Sequence, residues 1–287
     1  MDLEEIIRKQ KIGFLGIGNL GQAVLRAFLD SGFVDREKIV VSGRTERKIK
    51  KVMDEFLVRS VPTNEQLIDE SQVVIIGVKP QDLYQAIEPI ASSFHEDHLV
   101  ISLAAGVPLD ALRKLIPNAK KILRVMPNTA AKLKHSVTAY AASPAAEPHL
   151  PWIEKLLSTM GYVVAVEDGD EMEALVVASS SGIGFLFEFM VYWQEWLEER
   201  GIEPDVAKKI TAEVFSGAAA LATDSDRTSF EELQRKVTSH KGVTEAGLDS
   251  MRELEIERAL RISFEKAALR DKELGHSWAS STQNRLR

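Results

Sequence analysis

Ile12-Gly13-Phe14-Leu15-Gly16-Ile17-Gly18-Asn19-Leu20-Gly21 is the stretch whose reading decides the fold. An apolar run ends in G-x-G-x-x-G and passes into the amphipathic segment Gln22 to Leu29, which Ser31-Gly32 closes as a helix stop. A strand that meets a helix through this turn needs Gly16 for the tight reversal and Gly18 for close approach of a pyrophosphate. Gly21 is expected to bring the helix near the sheet. The amides of the helix's first turn, at Asn19, Leu20 and Gly21, and the positive end of its dipole form an anion site. The position between strand and helix separates this motif from glycines gathered in an ordinary turn.

The next strand, Lys38 to Ser42, indicates which dinucleotide fits. A site for NAD places an Asp or Glu about 20 residues past the glycines, where it binds the ribose 2′-hydroxyl and repels a 2′-phosphate. Here the strand ends in Ser42-Gly43-Arg44-Thr45, with Arg47 and Lys48 one turn further on. Hydroxyls, amides and a guanidinium suit a phosphate dianion, so NADPH is expected in preference to NADH, with Ser42, Arg44, Thr45 and Lys48 as its contacts. The alternative is that Thr45 only caps a helix and Arg44, Arg47 and Lys48 form a solvated basic face.

Outward from this unit the chain alternates. Strands are predicted at Lys11–Leu15, Ile39–Ser42, Leu57–Ser60, Gln72–Val78, Leu99–Leu103 and Lys121–Val125. Helices are predicted at Gly18–Asp30, Thr45–Glu55, Asn64–Asp69, Gln81–Ala91 and Leu109–Leu115. Several of the strands are unbroken Val, Ile and Leu runs, the mark of parallel strands covered on both faces. The expected fold is therefore α/β, a Rossmann-type doubly wound, mostly parallel sheet, extended by Ser136–Ala142 and Tyr162–Val166. From Glu171 onward the pattern is helical only, broken at Gly201 to Pro204 and at Thr223 to Arg227. This divides the chain at Asp168-Gly169-Asp170 into a nucleotide-binding domain, 1–168, and an all-α domain, 169–287, whose last stretch from Asp271 is polar and expected to fray. Leu175 to Trp193 carries Glu188 as its single charge. Ser179, Ser180, Ser181, Gly182, Gly184 and that glutamate make it a poor lipid-facing span, and it is read as a helix buried in a subunit interface.

Composition narrows the function classes. The 287 residues are 45% hydrophobic and 28% charged, as in an ordinary globular protein, and a net charge of -7 gives no reason to expect nucleic acid or an anionic membrane as partner. With no cysteine, disulfides, thiolate metal sites and a thiol nucleophile are excluded. The histidines at 95, 98, 135, 149, 240 and 276 show no metal-ligand spacing, so no metal is expected. Met1-Asp2-Leu3-Glu4-Glu5 lacks the basic region and apolar core of a signal peptide, and the expected location is the cytoplasm.

Further segments fall at strand ends: Gly77-Val78-Lys79-Pro80-Gln81, Ile101-Ser102-Leu103-Ala104-Ala105-Gly106 and Arg124-Val125-Met126-Pro127-Asn128-Thr129-Ala130. Far downstream lies Val237-Thr238-Ser239, followed by Gly242-Val243-Thr244-Glu245-Ala246-Gly247-Leu248. In order and approximate spacing these segments, with Gly16 to Gly21, resemble the pyrroline-5-carboxylate reductases from about residue 11 to about residue 270. The resemblance implies hydride transfer from NADPH to the C=N carbon of 1-pyrroline-5-carboxylate, giving L-proline, in a homodimer or larger homo-oligomer assembled through the C-terminal helices. It also implies that Lys79, Pro80, Gln81 and Asn128 line the nicotinamide side, with Val78 and Ala104 among the cofactor contacts. The cofactor carries the difficult step, which fits the lack of a catalytic His, Lys or Cys cluster. In the family a Ser-Pro-Gly-Gly-Thr-Thr turn holds the substrate carboxylate at a helix start. The matching positions are Ser239, His240, Lys241, Gly242, Val243 and Thr244, with Thr244 the candidate catalytic hydroxyl near the imine nitrogen.

The same turn departs from the family: His240 and Lys241 replace Pro and the first Gly, and Val243 replaces the first Thr. A second family segment, Ser-Gly-Ser-Gly-Pro-Ala-Tyr, reads Ser179-Ser180-Ser181-Gly182-Ile183-Gly184-Phe185 here. Lys241 either supplies a new counter-charge for a carboxylate or fills the pocket. Two alternatives therefore stand beside proline formation: a reductase of the same fold acting on another small cyclic imine or keto acid, and a nucleotide-binding regulatory paralogue without turnover.

Overall fold

Strands apolar along their whole length must be covered on both faces, and the computed structural model, which describes residues 2–224 and 227–283 (backbone alone over 276–283), covers them with helices. Strands β1 (Ile12–Leu15), β2 (Ile39–Ser42), β3 (Arg59–Ser60), β4 (Val73–Ile76), β5 (Leu99–Ser102), β6 (Lys121–Met126), β7 (Ser136–Ala142) and β8 (Gly161–Ala165) form one 8-stranded sheet in the order β3-β2-β1-β4-β5-β6-β7-β8. Every neighbouring pair is parallel except β6 and β7, where Val125 faces Tyr140 in an antiparallel register. The order reverses at β1 and β4, the switch point where doubly wound sheets open a crevice.

The first unit carries helices α1 (Leu3–Lys9), α2 (Asn19–Asp30), α3 (Glu46–Phe56), α4 (Asn64–Glu70), α5 (Pro80–Ile87), α6 (Leu109–Leu115), α7 (Leu150–Leu157) and α8 (Asp170–Leu175). Successive strand residues point to opposite faces and so feed two cores. Phe14 and Ile75 join Leu25 and Phe28 of α2 and Trp152 and Ile153 of α7, whereas Leu15 and Ile76 join Leu67, Leu83, Ile87 and Leu112 of α4, α5 and α6. Each such side chain, fully buried, stabilises the fold by about 2 kcal/mol.

The chain departs from the predicted pattern at particular residues. Leu57 belongs to no strand: at φ 55 it is the left-handed C-cap of α3, and β3 shrinks to Arg59–Ser60. Helix α5 starts one residue early, with Pro80 at its first position, where the missing N–H costs nothing.

The compact units are Met1–Ser181 with Ala267–Arg287, and Gly182–Lys266, beside an expected division at Asp168. The first unit runs past that point because Met172 of α8 and Val176 of the following π-type turn, Val176–Ser181, pack with Met126, Ala139 and Ala141. It also takes in the end of the last helix. Asp271 is 7% exposed, and Lys272 pairs with Asp170 at 3.0 Å and Glu173 at 3.1 Å. A Cβ on Gly275 would come within 2.4 Å of the Gly106 carbonyl oxygen. Fraying from Asp271 onward is therefore not observed through Gly275; residues 284–287 lie outside the described chain.

The reason for this docking is a buried charge. Arg124 on β6 is 2% exposed and reaches Asp168 at 2.8 Å and Asp271 at 3.9 Å, the second distance leaving Nε, Nη2 and the Asp271 Oδ2 without hydrogen-bond partners. Asp168 also accepts from the Leu109 N–H at the start of α6, at 2.6 Å. Burial raises the Asp271 carboxyl above the usual range despite the guanidinium, and the closer ion-pair contact is the one with Asp168 at 2.8 Å.

The second unit holds α9 (Gly182–Glu199), α10 (Pro204–Asp224), α11 (Phe230–Lys236), α12 (Val243–Glu253) and the first part of α13 (Ile256–Gln283). Within it, Trp193 meets Phe215 edge-on at 5.6 Å and Phe185 stacks on Phe264 at 5.6 Å. Helix α9 buries none of its residues, and Leu186, Phe187, Phe189, Val191, Tyr192, Trp193 and Trp196 are all exposed. By length and composition alone, Asp170–Glu199 could cross a membrane, an 18-residue window within it having a mean hydropathy of 1.8.

Candidate functional site

Three loops meet at the switch point. Those after β1, β2 and β4 line a crevice of about 390 Å³ with Leu15, Gly16, Ile17 and Gly18 on one side, Gly43, Arg44, Thr45 and Lys48 on another, and Gly77, Val78 and Lys79 on the third. Gly16 sits at φ +78, and a Cβ there would lie 2.5 Å from Val78 Cγ1. A Cβ on Gly77 would lie 2.4 Å from the Gly16 carbonyl oxygen, so the first and third loops approach closely only as glycines.

The anion end of the crevice is open. Gly18 is the N-cap of α2, offers no side chain to the first turn, and would place a Cβ against nothing within 4 Å. No acidic residue occupies that first turn, and the first amides of a helix have no partner within it. The amides of Asn19, Leu20 and Gly21 are thus available to a diphosphate. Gly21 is not needed for close packing: a Cβ there would meet Ile17 Cγ1 at 3.4 Å, an ordinary contact. That differs from the role the motif suggested.

The cationic end follows β2. Thr45 occupies the N-cap position of α3, yet its side chain makes no capping hydrogen bond, which leaves the hydroxyl for a ligand. Arg44, Thr45 and Lys48 are exposed at the rim. Ser42 is buried and its Oγ donates to Asn64 Oδ1 at 2.8 Å, so it supports the rim from beneath. This donor set, with no carboxylate at the end of β2, fits a 2′-phosphate.

Other expected residues stand apart from the crevice lining. Pro80 opens α5. Ala104 is buried after β5, its amide donating to Ser102 Oγ at 3.3 Å. The Asn128 side chain is occupied within the protein: Oδ1 accepts from the Ala130 N–H at 2.9 Å and Nδ2 donates to the Ser179 carbonyl at 3.3 Å. Ser180 Oγ adds a bond to the Pro127 carbonyl at 3.2 Å. The end of β6 is thereby fastened to the π-type turn, a helical irregularity that recurs at functional positions. Sequence reasoning passed over Asn64, Asp82, Gln85 and Ala86, which also line the crevice. The last three share one face of α5 at helical spacing, a signal present in the sequence.

The second candidate constellation lies in the other unit, between α11 and α12. Gly242 is the N-cap of α12, its N–H donates to the Ser239 carbonyl at 2.9 Å, and a Cβ there would lie 2.1 Å from Ser239 Oγ. Lys241, where the family has glycine, takes the left-handed conformation at φ 55, and its N–H donates to Glu245. His240 Nδ1 lies 3.6 Å from the same carboxylate. Val243 is 93% exposed and α12 buries none of its residues. Among the described residues no group of three or more His, Cys, Asp and Glu is placed to hold a metal.

Two family models match: one described as pyrroline-5-carboxylate reductase dimerisation, over residues 169–274, and one as NADP oxidoreductase, coenzyme F420-dependent, over residues 11–106. The chain is 31% identical to the pyrroline-5-carboxylate reductase of Methanosarcina acetivorans over 270 residues, covering 94% of this chain and 99% of the relative. It is 26% identical to pyrroline-5-carboxylate reductase 2 of Bacillus subtilis over 278 residues, 96% of this chain and 99% of the relative. A solved pyrroline-5-carboxylate reductase from Coxiella burnetii superposes with a TM-score of 0.83 at 27% identity, over 92% of this chain and 98% of that one. With an open diphosphate cradle, a cationic rim and relatives matched over nearly their whole length, the chain belongs to the pyrroline-5-carboxylate reductase family.

Proposed function

We propose that this protein reduces 1-pyrroline-5-carboxylate to L-proline with NADPH. The observation that carries the reading is the crevice at the ends of β1, β2 and β4, uncapped at α2 and cationic at Arg44 and Lys48, in a chain aligned end to end with reductases of that name. When bound, the nicotinamide supplies a hydride to the imine carbon. The protein's own tasks are to bind, orient and exclude water. Gly16 and Gly18 admit the diphosphate, the amides of Asn19, Leu20 and Gly21 bind it, and Arg44, Thr45 and Lys48 hold the 2′-phosphate. Val78, Lys79 and Pro80 border the nicotinamide side, with Ala104 and Asn128 setting its shape from behind.

The turn before α12 takes the substrate carboxylate, through the amides of Gly242 and Val243 at the positive end of the helix dipole, aided by Ser239 and the Lys241 ammonium. The Thr244 hydroxyl stands by the imine nitrogen, where it steadies the proton. The exposed apolar surface of α9 exceeds what single scattered residues explain, and its occupant is a second copy of this chain, giving a homodimer or larger ring. Nucleic acid and membranes are not partners.

A second reading keeps the fold and the nucleotide but changes the acid. Lys241 at φ 55 and Val243 at 93% exposure replace smaller or more polar family residues, which would suit another small cyclic imine or a keto acid. Following NADPH oxidation with pyrroline-5-carboxylate, then with a panel of cyclic imines and keto acids, decides. Turnover with pyrroline-5-carboxylate above all others supports the first reading, turnover with another acid the second. Tight NADPH binding with no turnover leaves only a regulatory paralogue.

A further inference from the structure

The crevice contains an ion pair that the nucleotide reading does not use. Arg44 Nη2 lies 2.6 Å from Asp82 Oδ2, with side chains 77% and 28% exposed. Arg44 follows β2 and Asp82 lies in α5, which follows β4; these two strands flank β1. The pair therefore joins the loops on either side of the Gly16–Gly18 turn, and both residues line the crevice. We propose that Asp82 is a selectivity-setting residue: it holds Arg44 in a latch that a 2′-phosphate dianion takes over and a 2′-hydroxyl does not. The inference rests on the assignment of Arg44 to the 2′-phosphate.

The physical basis is a competition for one guanidinium. Ion pairs this exposed are weak, so Arg44 is readily drawn to a stronger partner. A phosphate has up to twice the charge of a carboxylate and three acceptor oxygens for the guanidinium fork. A nucleotide lacking that phosphate offers Arg44 nothing better than Asp82, and the latch stays shut. For NADPH the latch is a handicap, because the phosphate must displace or share Arg44 beside a like charge. Asp82 also stands in the first turn of α5, where an acid favours the helix dipole. That purely structural role predicts no difference between the two nucleotides.

Equilibrium titration of the full-length protein with NADPH and with NADH, by calorimetry without substrate, separates these. Asp82→Asn is expected to bind NADPH about fivefold more tightly, the scale of one surface charge interaction, and NADH within about twofold of the parent. Asp82→Ser, which removes the charge but keeps a polar oxygen at this position, is expected to behave in the same way, and the gain is expected to vanish when Arg44→Gln is added. Equal effects on both nucleotides, no effect, or a gain that persists beside Arg44→Gln would overturn the proposal. The underlying assignment has its own control: if Arg44→Gln leaves the NADPH-to-NADH ratio unchanged, the phosphate reading fails and the latch with it. If that variant loses NADPH selectively and Asp82→Asn does nothing, the latch alone fails.

Discussion

The two units solve the problem of apolar surface in opposite ways. In the first, β1, β2, β4 and β5 are buried along their whole length and both sheet faces are sealed by helices of the same chain. In the second, α9 carries a strongly apolar sequence yet buries none of it. The first unit is stable by its own packing and is free to keep an open crevice. The second leaves α9 uncovered, and in the proposed homo-oligomer a second copy covers it. The contrast separates the crevice, lined by residues of the first unit, from the helices that match the dimerisation family model.

The largest expected effect falls on the uncovered helix. Trp193→Glu combined with Phe187→Glu is expected to weaken self-association about a thousandfold or more, since anchors of this kind contribute about 2 kcal/mol or more each at interfaces. Light scattering after size exclusion should then show monomer while NADPH binding survives; an unchanged assembly would erase the distinction between the units. Next comes Arg124→Met, which strands the half-buried Asp168 and the buried Asp271 carboxyls. It should cost about 3–5 kcal/mol in chemical unfolding monitored on the first unit, whereas a loss under about 1 kcal/mol would mean that the cluster is not what closes that unit.

Smaller in energy but sharper in meaning is Arg44→Asp. It removes a counter-charge and adds repulsion, so NADPH affinity should fall about a hundredfold, an effect of about 2.7 kcal/mol, with NADH nearly unaffected. Equal losses would refute the phosphate assignment. The smallest effect is on pH. His98 is 2% exposed, accepts from the His95 N–H at Nδ1 and contacts the Ile68 carbonyl through Nε2. Burial first, then the neighbouring His95, lower its pKa below the ordinary 6.5. A histidine so depressed stabilises the fold fully above about pH 6.5 and less as pH falls below it, because the unfolded chain takes up the proton first. The stability of the first unit should therefore decline on acidification with a slope of up to about 1.4 kcal/mol per pH unit from this group, and His98→Gln should flatten it. A pH-independent stability between pH 5 and 7, roughly the histidine range, would contradict this.

The sheet was legible because parallel strands leave unbroken runs such as Val73 to Ile76, and the glycine turn because its spacing is dictated by backbone geometry. The strand at Leu57 was misread for a local reason: a left-handed cap on an apolar residue looks like strand sequence. Arg124 was read only as part of a motif, since its partners Asp168 and Asp271 lie far along the chain and no periodicity links them. The docking of α13 through Asp271 and Gly275 escaped notice on the same ground, as polar sequence near a terminus resembles a loose end. Asp82 was hidden differently: an acid in the first turn of a helix is what capping alone would place there. The apolarity of α9 was plain, but periodicity cannot tell a core from an interface.

One measurement bears on the whole account most directly. The assembled protein is mixed with NADPH and pyrroline-5-carboxylate, nicotinamide oxidation is followed by absorbance, and the product is identified chemically. The account predicts stoichiometric conversion to L-proline with NADPH well ahead of NADH. NADPH bound in the crevice with no proline formed at any substrate concentration would contradict it.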